Sequence, residues 1–170
     1  FRNRENLGFL KNCNNGFNYS RGEYILFLNN DVEVHDLWLD SLLNTFLQCD
    51  RVGLAGSKLV YPDGRLQEAG GIVWRDASAW NWLHKKNPHH PAANYERDVD
   101  YVSGASIMIP RKLFAQLGLF DERYQNSYYE DTDLAMAVRQ AGFRVVYQPF
   151  SAVTHHEGAS SGNDLQAGTK

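Results

Sequence analysis

Five consecutive apolar residues, Tyr24-Ile25-Leu26-Phe27-Leu28, stop abruptly at Asn29-Asn30-Asp31. A run of strand length without polar alternation predicts a strand buried on both faces, as in a parallel sheet, with the polar triplet at its C-terminal end. A helical pattern follows: Leu39, Leu42, Leu43, Phe46 and Leu47 share one face of residues 37–47, and Asp36 stands where an N-cap belongs. Any fold must therefore carry a strand, a polar turn and a covering helix in that order.

The same alternation continues along the chain. Residues 52–60 predict a second strand and Tyr61-Pro62-Asp63-Gly64 a turn. A hairpin-like excursion through Ile72-Val73-Trp74 leads into residues 75–97, rich in Trp, His, Asn and Pro without a period, which predict a long surface loop. Residues 105–109 predict a strand, 111–117 a short helix ended by Gly118, 132–141 a helix ended by Gly142, and 145–147 and 152–154 the last strands. Strands alternating with helices imply an α/β domain with a mixed, mostly parallel sheet flanked by helices, in which ligands bind outside the carboxyl ends of the strands. Asp31 lies at such an end.

With 170 residues, 43% hydrophobic and 22% charged, the chain has material for one core, and 1–170 is read as a single domain. A net charge of −3, with Lys and Arg scattered, excludes the electrostatic footprint of a nucleic-acid binder. Cys13 and Cys49 form neither a CxxC pair nor a disulfide framework, which predicts a reducing, cytoplasmic setting. No apolar run approaches the roughly 20 residues of a membrane span. Membrane association, at the inner face, is expected only through parts outside this chain. The opening at Phe1 without a methionine and the polar tail lead to the expectation of an excised domain.

Three constellations carry the chemistry. In Leu28-Asn29-Asn30-Asp31-Val32-Glu33, Asp31 offers the carboxylate that hard cations such as Mg²⁺ or Mn²⁺ prefer; the competing reading is a turn built of Asn and Asp. Tyr128-Tyr129-Glu130-Asp131-Thr132-Asp133-Leu134 packs three acids at a helix start, where the dipole keeps a general base ionised; Asp131 is the candidate base, against a plain N-cap with Asp133 in the first turn. Thr154-His155-His156-Glu157-Gly158 puts imidazoles directly after a strand, as metal ligands or as inert loop residues.

Gly22-Glu23-Tyr24-Ile25-Leu26-Phe27-Leu28-Asn29-Asn30-Asp31, Asp100-Tyr101-Val102-Ser103-Gly104-Ala105, Gly118-Leu119-Phe120-Asp121-Glu122, Tyr129-Glu130-Asp131-Thr132-Asp133-Leu134 and His155-His156-Glu157-Gly158 follow one another in this order. In that order they resemble family 2 glycosyltransferases of the GT-A fold, in the rhamnosyltransferase-like branch, over almost the whole chain. The resemblance implies a Rossmann-like domain of which this chain is the C-terminal, larger part, the N-terminal nucleotide-binding strands lying upstream. It implies an inverting, metal-dependent transfer of a sugar from a nucleotide-diphosphate donor to a saccharide or lipid-linked acceptor, in cell-surface polysaccharide synthesis.

Residue by residue, Asp31 resembles the second acid of the family's Asp-x-Asp metal motif, with Asn29 in place of the first. Asp131 resembles the base that deprotonates the acceptor hydroxyl, and Glu130 its support. His155, in the His-x-Glu-Gly pattern, resembles the histidine that completes the Mn²⁺ or Mg²⁺ shell, with His156 as the alternative. Asn29, Asn30, Ser103, Gly104 and Ala105 resemble the donor-binding segments, where small residues let a ligand approach the backbone. Lys170 falls where the family carries a lysine near the diphosphate, and Asn14 and Gly16 match an Asn-x-Gly that precedes the metal strand. Trp82, with Trp80, His84 and His89, gives the 75–97 loop an aromatic surface suited to a sugar acceptor, against the reading that its indoles anchor the loop. The rivals are a catalytically silent sugar- or nucleotide-binding module and a metal-dependent phosphohydrolase, whose sites need a denser acid cluster than Asn29-Asn30-Asp31.

Overall fold

The computed structural model describes residues 2–124 and 128–157. In chain order the elements are α1 (Gly8–Phe17), β1 (Tyr24–Leu28), β2 (Val32–Val34), α2 (Trp38–Gln48), β3 (Val52–Val60), β4 (Leu66–Glu68), β5 (Gly71–Val73), β6 (Ala79–Asn81), β7 (Arg97–Asp98), β8 (Ser106–Pro110), α3 (Arg111–Gln116), α4 (Glu130–Gln140) and β9 (Arg144–His155). One sheet carries the order β1-β8-β3-β9-β2, with β4 on β3 and β7 on β9; β5 and β6 make a separate hairpin.

The sheet is mixed, as expected, but its pairings correct the expectation that it is mostly parallel. Only β3 and β9 run parallel among the described strands; β1·β8, β3·β8, β3·β4, β2·β9 and β7·β9 are antiparallel. An apolar run reports burial on both faces and says nothing of a neighbour's direction.

Burial on both faces is what the sheet achieves. Every residue of β3 is buried. Ile25 and Phe27 of β1 join Leu54, Ile107, Ile109, Phe114, Leu134 and Val138 beneath α1, α3 and α4. Tyr24 and Leu26, one residue out of phase, join Leu42, Ala55, Met108 and Val146 beneath α2.

Several boundaries move. Asp36 does not cap α2: the N-cap position is Leu37, at φ 61° and without a side-chain cap bond. The 75–97 loop contains β6 and a 3₁₀ turn at Pro91–Ala93 and runs into β7. The last two expected strands are one, because Ser57 pairs with Gln148 and Lys58 with Ala152, so residues 149–151 bulge out where Pro149 has no N–H to give the ladder. Helix α1 had no strong signal, since Gly, Asn and Cys are poor helix formers. Tertiary contacts hold it: Leu10 is buried, and the Asn14 amide donates to the Phe120 carbonyl at 2.9 Å while accepting from the Phe120 N–H at 3.1 Å.

Candidate active site

The polar triplet after β1 sits where two ladders meet. Asn29 N–H donates to the Ala105 carbonyl at 3.0 Å, and His156 N–H to the Asp31 carbonyl at 2.9 Å. Pairing of Val32 with His155 then brings the Asp31 carboxyl against the end of β9. Asp31 Oδ1 lies 3.3 Å from His155 Nε2, both side chains about a tenth exposed. On the ring's other side, His155 Nδ1 lies 3.0 Å from Gln67 Oε1. In the tautomer that donates Nδ1–H to Gln67, a neutral ring presents its Nε2 lone pair to the carboxylate.

Asp31 Oδ1 is buried and has no hydrogen-bond partner among the described residues. In that tautomer the lone pair and the carboxylate oxygen, 3.3 Å apart, form a pair of donors suited to a shared positive charge. A divalent cation fits that donor set, one hard oxygen and one imidazole, with its remaining positions open to ligand oxygens. Among the described residues the donor set is these two alone, since no group of three or more His, Cys, Asp or Glu gathers at metal-binding distance there. Strand alternation turns His156 away, its Nε2 lying 2.8 Å from Glu33 Oε1 on the exposed side.

A second group of acids lies at the start of β8. Asp131 is the second residue of α4, which follows two residues in the left-handed region, Tyr128 at φ 78° and Tyr129 at φ 73°. Non-glycine residues pay for that conformation, and such strain gathers at functional sites. Asp131 is not the N-cap; Tyr129 holds that position without a cap bond. Its Oδ1 accepts from Thr132 N–H at 2.7 Å and Thr132 Oγ1 at 3.3 Å, and its Oδ2 reaches out of the helix to accept from Gly104 N–H at 3.0 Å. Burial raises the Asp131 carboxyl above its ordinary range against these three donors, which pull it down. Glu130, beside it, is also raised by burial, and its Oε2 is buried without a partner among the described residues.

Sequence reasoning passed over Gln67 and Glu68. β4 presents them in succession, Gln67 to His155 and Glu68 to Ser103, whose N–H donates to Glu68 Oε1 at 2.9 Å. Their signal was available: two polar side chains between Leu66 and Ala69, all four of them buried in the fold.

Ala105 is buried, Asn29 half-buried and Asn30 exposed. A Cβ added at Gly104 would meet Asp131 Cβ and Phe9 Cζ at 3.7 Å, ordinary contact, so this chain alone does not require glycine there. Trp82, 41% exposed, lines a cleft of about 590 Å³ with Tyr95, Arg97, Arg139 and Phe143. That lining includes none of Asp31, Asp131 and His155, and neither does a cleft of about 790 Å³ between α1 and α4. Asp31, Asp131 and His155 therefore lie outside the linings of both clefts. Lys170 and Gly158 lie outside the described residues.

Residues 1–118 match the family model described as glycosyl transferase family 2. An O-antigen biosynthesis protein of Myxococcus xanthus is 38% identical over 82% of this chain and 11% of its own length. An N-acetylglucosaminyl-diphospho-decaprenol L-rhamnosyltransferase of Mycobacterium tuberculosis is 29% identical over 84% of this chain and 50% of its own. The chain thus spans half or less of these relatives. In three dimensions it matches a crystal structure of GalNAc-T7 with UDP, GalNAc and Mn²⁺, at TM-score 0.71 and 19% identity, over 92% of this chain and 32% of that one. The mixed α/β architecture is the GT-A fold, and the chain belongs to glycosyl transferase family 2.

Proposed function

We propose that the protein containing this chain transfers a sugar from a nucleotide-diphosphate donor to a hydroxyl of a saccharide or lipid-linked acceptor, with inversion at the anomeric carbon. The observation that carries the reading is the pairing of two half-sites through β4: the Asp31–His155 pair against Gln67, and Asp131 on the turn that Glu68 anchors.

Asp131 is the general base. Its carboxylate is oriented by Gly104 and Thr132, and it takes the proton of the acceptor hydroxyl as that oxygen attacks. Glu130, with one unmet oxygen, supports the acceptor. Asn29, Asn30, Ser103, Gly104 and Ala105 line the donor's approach, and Lys170 is assigned to its diphosphate. Trp82 serves as an outer contact for an extended acceptor. Asp31 and His155 would hold Mn²⁺ or Mg²⁺, which when bound supplies positive charge to the leaving diphosphate. The related rhamnosyltransferase supports a lipid-linked acceptor, the O-antigen biosynthesis relative supports a place in cell-surface polysaccharide synthesis, and the structural neighbour's UDP and Mn²⁺ support the donor class and the metal. No helix among the described residues is long and apolar enough to cross a membrane. We place the activity in the cytoplasm or at the membrane's inner face, association with the membrane coming from parts outside this chain.

The test is nucleoside-diphosphate release from a panel of nucleotide-sugars with Mn²⁺, and the anomeric configuration of the product by NMR. Release above background with an inverted product is expected. A retained configuration overturns the mechanism, and no release from any donor overturns the reaction class.

A further inference from the structure

Glu68 is 1% exposed, a degree of burial no other carboxylic acid among the described residues matches. Its Oε1 accepts from Ser103 N–H at 2.9 Å, and the next amide along, Gly104 N–H, donates to Asp131 Oδ2 at 3.0 Å. Two acids from different elements thus sit on successive amides of one turn. Glu68 Oε2 has no partner among the described residues.

The groups facing Glu68 are Asp131 from α4, Tyr101 and Ser103 from the segment before β8, and Tyr147 from β9. Cations on the flanking strands are engaged elsewhere. The Arg97 guanidinium stacks on Tyr147 and donates to the Ala69 carbonyl, and Lys58 Nζ donates to Asn94 Oδ1 at 2.6 Å. Two ionised carboxylates without a cation between them are costly in a dry interior. Asp131 has three donors to support its charge and Glu68 has one. A single charge therefore settles on Asp131, and a proton on Glu68 Oε2 removes the buried charge from an oxygen that no donor supports. We propose that Glu68 is held as a neutral carboxylic acid, the positioning residue that leaves Asp131 as the single charge on the Ser103–Gly104 turn.

Burial first, and then the Asp131 charge, push the Glu68 carboxyl from 4.5 up to about 8. Above that pH a second charge appears beside Asp131, loosening the turn and repelling an anionic donor. That consequence for transfer rests on the transferase reading; the protonation of Glu68 does not.

The direct measurement is the ¹³C shift of the Glu68 carboxyl against pH. A midpoint near 8 rather than the ordinary 4.5 is expected, and a midpoint in the ordinary range overturns the proposal. The second arm is stability in the parent and Glu68→Gln, whose amide imitates the neutral acid. Because the folded state binds this proton more tightly than the unfolded chain, stability falls as pH rises from 4.5 to about 8. The variant should lack that fall and melt higher than the parent above it. Parallel melting curves overturn the proposal. In transfer assays the parent's rate should drop between about pH 7 and about pH 9 while the variant's holds. A loss of more than about tenfold in folded Glu68→Gln at neutral pH, a fall that belongs to acid–base catalysis itself, overturns it. No turnover in either protein, with the Glu68 midpoint near 8, supports the neutral acid and removes the transferase reading alone.

Discussion

Asp131 Oδ2 accepts the Gly104 N–H at 3.0 Å, tying the first turn of α4 to the strand entry at β8. A capping carboxylate serves its own helix; this one spends one oxygen on Thr132 and the other on a distant turn. The bond sets the orientation of the carboxylate proposed as the base and makes its position depend on two elements far apart in sequence.

For that reason Asp131→Asn is expected to separate chemistry from fold. Loss of a positioned general base costs about 10²–10⁴-fold in rate. The variant should keep its donor affinity, measured by calorimetry, and should stay folded, though its amide oxygen can accept only one of the Thr132 and Gly104 bonds and the other buried N–H is left unmet at about 1–3 kcal/mol. Burial raises the Asp131 carboxyl, so the folded state binds its proton more tightly than the unfolded chain. Stability from this group is therefore present at low pH and lost as pH rises through the raised value. Asn escapes that loss. In the parent, the rate should fall on the acid side at a pH above the ordinary aspartate value of 3.8, and a turnover loss under about tenfold in Asp131→Asn would return the residue to a structural role.

On the proposed metal site, chelation should silence transfer without unfolding the chain, since the core lies between the sheet and its helices. Chelation is expected to abolish transfer, and Mn²⁺ to restore it. His155→Ala should weaken Mn²⁺ binding at least tenfold, the lower edge of the about 10–100-fold known for even outer partners of metal ligands. Titration calorimetry with Mn²⁺ and the donor's nucleoside diphosphate checks this. Equal affinities in His155→Ala and parent would show the ion bound elsewhere.

Two glycines give opposite expectations. A Cβ at Gly56 would fall 2.3 Å from Val102 Cβ, and overpacking a full core costs about 1–3 kcal/mol or more. Gly56→Ala should therefore lower the melting temperature. Gly104 has ordinary space for a Cβ, so Gly104→Ala should melt like the parent yet, on the proposed donor site, bind nucleotide-sugar more weakly. Unchanged donor affinity in folded Gly104→Ala would remove this turn from the donor site.

Asn14→Ala tests what holds α1. It removes both bonds to the Phe120 backbone and leaves a half-buried donor and acceptor unmet, at about 1–3 kcal/mol. Denaturant titration should show that loss. A change within about 0.5 kcal/mol, the usual range of a surface substitution, would show that the apolar contacts of Leu10 and Phe17 suffice.

Short-range pattern by itself determined the strand at 24–28, the buried strand at 52–60, the hairpin-like excursion through 72–74, found as β5 at Gly71–Val73, and the helix stops at Gly118 and Gly142, which take φ of 88° and 85°. Those features follow from apolar runs and from residues that alone tolerate a given backbone, so they are written locally. It also carried the five motifs by which the chain resembles its family. Tertiary structure alone decided strand direction, because burial on two faces is the same for parallel and antiparallel neighbours. It decided which histidine meets Asp31, since that depends on the register of β2 on β9 and only then on alternation. It brought in Gln67 and Glu68, two polar residues on a three-residue strand whose meaning comes from His155, Ser103 and Asp131, all more than thirty positions away. Their roles arise from contacts across the fold, and no window along the chain contains those partners.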